Sequence, residues 1–162
     1  MNRIVLPSHL TSVEADYARW CAEQAALLRE GRLSALDHEN LAEEIESLGR
    51  SEKREIRNRL IRLIQHLLKW QFQPGRRSES WRSTIGEQRL FILGIIEDSP
   101  SLKRFPAEVF LGSYGDGRRL AVVETGIQAV AFPEEPPFTI DEALDESFLP
   151  GEPLAPWDVI RD

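Results

Sequence analysis

Between Asp37 and Gln73 the chain reads DHENLAEEIESLGRSEKREIRNRLIRLIQHLLKWQFQ, with Pro74 and Gly75 directly after it to stop it. This stretch constrains the fold more than any other. Leu41, Ile45 and Leu48 recur at i, i+4 and i+7, and Ile56, Leu60, Leu63, Leu67 and Trp70 continue the series. Such spacing places all of them on one face of an α-helix. From Ile45 to Ile56 the separation is close to three whole turns, so the apolar face stays in register across Gly49. A glycine inside a helix costs about 1 kcal/mol. The pattern therefore admits one long bent helix or two coaxial helices broken near Gly49–Ser51. In the second half Ile61 and Leu68 leave the main face, so this half is expected to meet neighbours on several sides. Only a wedge of Arg62, Gln65, His66 and Lys69 stays polar.

The flanking segments also read as helices. Thr11 and Glu14 have capping-box spacing ahead of a helix that runs to about Glu30, where Gly31 is placed to end it. Ser34 and Asp37 both suit the cap of the long helix. Ser80 can cap a helix carrying Trp81, Ile85, Ile92, Ile95 and Ile96, which Asp98–Ser99–Pro100 terminates. Pro106 suits a helix start. Phe110, Tyr114, Ala121 and Val122 then keep helical spacing, although Gly112, Gly115 and Gly117 oppose it. Thr139 and Glu142 form a second capping-box pair, for a short helix over residues 140–146. No strand alternation of useful length is evident. The expected fold is all-α: an up-and-down helical bundle of four to five helices, in a single domain over 1–162. Its core lies at about 12–126, and an extended C-terminal tail, 127–162, packs on it.

Composition narrows the function classes. A 162-residue chain with 41% hydrophobic and 29% charged residues can bury a real core. Its one cysteine, Cys21, allows neither an internal disulfide nor a cysteine metal cage. No signal-peptide block or membrane-length apolar run is visible, so a cytoplasmic protein with no membrane partner is expected. The net charge of −7 is unevenly spread. Residues 1–49 carry 4 basic and 9 acidic groups, residues 50–90 carry 11 and 4, and residues 91–162 carry 5 and 14. The basic segment either neutralises the acidic ends within the monomer or meets an anionic partner.

Three kinds of chemistry are conceivable for such a chain. A di-iron carboxylate bundle needs Glu-x-x-His on two helices, and none of His9, His38 and His66 has glutamate three residues before it. Glu43, Glu44 and Glu46 beside His38 read as an exposed acidic face, and no metal or other cofactor is expected. Cys21, in an alanine-rich helix beside Trp20, reads as an inert buried thiol. No nucleophile elbow, P-loop or dinucleotide fingerprint occurs. The basic and aromatic run HLLKWQFQPGRRSESWRSTIGEQR is more suggestive. Arg62, His66, Lys69, Arg76, Arg77, Trp81 and Arg82 combine cations with aromatic planes, a mixture that can hold phosphates and stack bases. The alternative places Trp70 and Trp81 in the core and pairs the arginines with Glu43, Glu44, Glu46, Glu87 or the acidic tail.

The strings AEEIESLGRSEKRE, HLLKWQFQP, RSESWRSTIGEQR, EDSPSL, ETGI and FPEEPPFTIDEALDESFLP together resemble the bacterial proteins grouped as domain of unknown function 29. The likeness runs from about Asp16 to Pro150. It implies an all-helical up-down bundle and carries no activity, cofactor or catalytic residue onto any position. The function expected first is a non-enzymatic helical module that binds another protein or itself. Nucleic-acid binding through residues 62–82 is the alternative, and an enzyme with a polar pocket near His66 is the third.

Overall fold

Asp16 opens the first helix, its carboxylate accepting the Arg19 N–H at 3.0 Å, in a computed structural model that describes residues 10–155. His9 lies outside the described residues, as does the end of the tail beyond Ala155. The elements are α1 (Tyr17–Arg29), α2 (His38–Phe72), α3 (Glu79–Asp98), α4 (Phe105–Thr125) and the short α5 (Ile140–Leu144). Short 3-10 turns link them, and no strand occurs among the described residues. The all-α expectation holds.

The chain divides into two compact units, residues 1–50 and 51–162. In the first, the cap of α1 is Asp16, whereas the sequence pointed to Thr11 and Glu14. Thr11 instead donates its backbone N–H and its hydroxyl to Glu23, at 2.8 and 3.1 Å. A carboxylate at the positive end of the helix dipole is the stronger acceptor, which favours Asp16. The C-terminus behaves as its glycine suggests. Gly31 takes φ +70°, the Arg32 N–H reaches the Leu27 carbonyl and the Gly31 N–H the Leu28 carbonyl, which is a Schellman closure. Asp37 then precedes α2, binding the backbone N–H of Asn40 at 3.4 Å and its side-chain amide at 2.7 Å.

Helix α2 runs unbroken through Gly49, resolving the alternative in favour of one helix. From Ile56 onward it is the core of the second unit. Ile56, Leu60, Leu63, Ile64, Leu67 and Leu68 are fully buried, and Trp70 nearly so. Leu68 is buried away from the main stripe, as the loss of amphipathicity predicts. Helix α3 packs antiparallel to α2, since Arg59 meets Gln88 while Lys69 meets Trp81. Helix α4 runs parallel to α2, with Arg57 on Asp116 and Lys69 on Glu124. These three helices alternate up, down, up.

Helix α3 starts two residues earlier than the Ser80 reading, because Ser78 accepts the Trp81 N–H at 3.2 Å. In α4 the glycine-rich stretch is fully helical. Only Gly117 has a packing reason: a Cβ there would lie 2.9 Å from the Ile61 carbonyl oxygen and from Ile64 Cγ2. Gly112 and Gly115 face open space. Gly126 closes α4 at φ +69°. The chain then crosses back over the bundle, burying Phe132, Phe138 and Ala143. The capping box at Thr139 and Glu142 is complete, and it opens α5.

A buried polar cluster and a candidate interaction surface

The basic and aromatic segment is largely committed inside the second unit. Lys69 is 2% exposed; its Nζ lies 2.6 Å from Glu124 Oε1 and 4.2 Å from the centre of the Trp81 ring. Gln65 donates to the other oxygen of Glu124. Partial burial alone would raise the Glu124 pKa, but the bond and charge of Lys69, with His66 and Gln65, hold it below the usual carboxylate range. His66 is 6% exposed, and its Nδ1 lies 2.9 Å from the Arg62 carbonyl, a contact that fixes Nδ1 as the donor. Burial pushes its pKa down; the Arg62 carbonyl and Glu124 push it up, and the Lys69 and Arg62 charges push it down. The supposed polar wedge of α2 is thus half interior. Its polar atoms can be buried because α4 supplies Glu124 opposite them.

Arg77 is buried as well. Its Nε donates to the Trp70 carbonyl at 2.9 Å and Nη1 to the Glu152 carbonyl at 2.7 Å. Arg62, Arg76 and Arg82 remain on the surface. Arg82 reaches only Glu79, at 3.8 Å, and Arg62 and Arg76 have no ion pair among the described residues. The seven residues singled out from the sequence therefore do not form one exposed face. Among the described residues, Arg62, Arg76 and Arg82 form no ion pair with Glu87. Within the described part of the tail, Arg77 binds the backbone, at the Glu152 carbonyl.

Sequence reading missed the clearest case, Arg89. This 2% exposed residue donates to the carbonyls of Ala143, Glu146 and Phe148, at 2.8, 3.4 and 2.7 Å. Arg118 does the same for Phe132 and Ala129, and the Tyr114 hydroxyl for Pro133. An irregular segment leaves its carbonyls without helical N–H partners, and guanidinium forks supply them. Burial pulls the Arg89 pKa down while Asp145 and Glu146 pull it up.

The described residues contain no cluster of three or more His, Cys, Asp or Glu side chains able to hold a metal ion. None of their helices is long and apolar enough to cross a membrane.

The neutral buried state of His66 has a consequence for pH. Its folded pKa lies below the ordinary 6.5, so the unfolded chain takes up the proton first on acidification. Stability should be flat above 6.5 on this account and fall as pH drops through that value toward the folded pKa. Glu124 adds a later loss, below its ordinary 4.5. Melting curves of the wild type and of His66→Gln between neutral pH and pH 5 check this: the variant should lack most of the decline.

The first unit has a different character. Among its described residues the buried apolar ones are Trp20, Leu27 and Leu36. Tyr17, Leu28, Ile45 and Leu48 are 52%, 50%, 67% and 70% exposed. The face predicted to be continuous along α2 is therefore fully covered from Ile56 onward, while Ile45 and Leu48 stand open. The open residues are not scattered. Together with Cys21 and Leu41 they line a cleft of about 240 Å³ between α1 and the first turns of α2. Cys21 is half-buried there, more accessible than the inert core thiol expected. The Tyr17 hydroxyl bridges the two walls by donating to Glu44 at 2.8 Å. That bond, and then contact with Cys21, push the Tyr17 pKa up to about 12. Tyr17 also stacks on Trp20, whose indole N–H donates to Asp37.

A second cleft, of about 620 Å³, runs along α4 between Phe110, Leu111 and Tyr114 and the Glu134–Ile140 segment. It lies on a unit whose core is already closed. Neither a curated protein nor a solved structure matches this chain. A family model described as domain of unknown function DUF29 matches residues 13–149, and the chain belongs to that family.

Proposed function

We propose that this chain is a non-enzymatic helical module that binds another protein through the cleft between α1 and the start of α2. One observation carries the reading. Among the described residues of the first unit five large apolar side chains are open and three are buried, and four of the open ones, Tyr17, Leu28, Ile45 and Leu48, converge on a single cleft. Two helices cannot cover both of their apolar stripes, and contiguous exposed apolar surface marks an interaction site. Nucleic-acid binding has less support. It would rest on Arg62, Arg76 and Arg82, with Lys69 engaged by Glu124 and Trp81 lying beneath Lys69. An enzymatic role near His66 would need a neutral imidazole, and that is all the cluster offers toward it. A single half-buried thiol suits a reducing compartment such as the cytoplasm.

The test is the double variant Ile45→Asp/Leu48→Asp. Both positions are mostly exposed, so stability should change by no more than about 0.5 kcal/mol for each. Proteins held from cell extract by the immobilised wild type should be lost from the variant at an unchanged melting temperature. Identical sets on both would count against the cleft.

A further inference from the structure

Resting on that reading, we infer that the cleft's occupant is a basic amphipathic helix from another polypeptide. The lining residues form one stripe on each wall. Tyr17, Cys21 and Leu28 recur at helical spacing on α1, and Leu41, Ile45 and Leu48 on α2. A trough between two helical stripes is the shape that accepts a third helix, whose own i, i+3, i+4, i+7 side chains fill it. With α1 and the start of α2, the added helix would make a three-helix core.

Charge selects among possible helices. Residues 10–50 contain nine acidic and four basic side chains. Arg19, Arg32 and Arg50 already lie on Glu23, Glu30 and Glu46. Glu44 belongs to the lining itself, and Glu39 and Glu43 stand on the same first turns of α2 without an ion pair among the described residues. A second copy docked through this same face would set the acidic surface against itself. A helix with lysine or arginine beside its apolar stripe would complement it.

The test uses the full-length protein and three labelled synthetic peptides of roughly 18 residues, about 27 Å as helices. One has leucine at i, i+3, i+4, i+7 with lysine elsewhere. The second replaces lysine with glutamate, and the third scrambles the first so that no apolar face forms. Binding is read by anisotropy and by protection of Cys21, the chain's one cysteine and a lining residue, from alkylation. The leucine/lysine helix should bind, slow Cys21 alkylation and weaken as salt rises. Its glutamate counterpart and the scrambled peptide should bind at least about tenfold more weakly, about 1.4 kcal/mol.

Ile45→Asp/Leu48→Asp should abolish binding even though it adds negative charge, because apolar contact is what it removes. Binding that survives this variant would be non-specific attraction and would overturn the inference. Equal, cleft-dependent binding of the glutamate helix would overturn the charge argument while leaving the interaction reading intact. Concentration-dependent dimerisation that itself protects Cys21 would make a second copy the occupant and overturn the inference. If no helix protects Cys21 and no extract protein depends on positions 45 and 48, the interaction reading falls with it.

Discussion

Replacing Leu67 by alanine is expected to destabilise the protein by about 2–5 kcal/mol, the range for deleting a fully buried leucine side chain. Leu67 has no exposed surface and sits in the cluster formed by α2, α3, α4 and the returning C-terminal segment. Neighbours on several sides cannot all collapse into the space, so a cavity remains. Urea unfolding measures the loss directly. Leu48→Ala is the internal comparison: the same chemistry on the same helix, at a position 70% exposed, should cost little. Equal losses at the two positions would contradict the division of α2 into a sheltered and an open half.

Arg89→Met should have the second large effect, on the order of 2–4 kcal/mol, because stranding buried polar groups costs roughly 1–3 kcal/mol each. The methionine can occupy the aliphatic part of the arginine's path, but the carbonyls of Ala143, Glu146 and Phe148 lose their donor. The total should fall below a simple threefold sum, since two of those bonds are only partly buried and water can reach a loosened tail. Limited proteolysis distinguishes this from a core defect. Cleavage should appear first between residues 140 and 150, before the bundle helices are cut. A variant as resistant as the wild type there would mean that Phe138 and Ala143 hold the segment without Arg89.

These two residues also show what the sequence could and could not disclose. Leu67 was legible because its burial follows from helical periodicity, a local property. The same is true of the capping box at Thr139, of Gly31 as a helix end, and of Asp98–Ser99–Pro100. Arg89 was not legible. Its role depends on which carbonyls a distant segment brings to it, more than fifty residues along the chain. A signal existed, since Arg89 falls four residues after Ile85 and three before Ile92, on the buried side of α3. The same non-local dependence hid Glu124, without which Lys69 looks like a surface cation. The cleft was hidden for a further reason. Periodicity gives which residues share a face, and it gave Ile45 and Leu48 correctly, but it does not report whether anything covers that face. Small two-helix units are where that gap matters most.

Native-state hydrogen exchange tests the division most directly, because it resolves local opening from global unfolding along a single helix. Amides between Leu60 and Trp70 should exchange only with the unfolding of the whole protein, while those of α1 and of residues 41–48 should exchange through much smaller openings. Equal protection at the two ends of α2, in the free protein, would contradict the account.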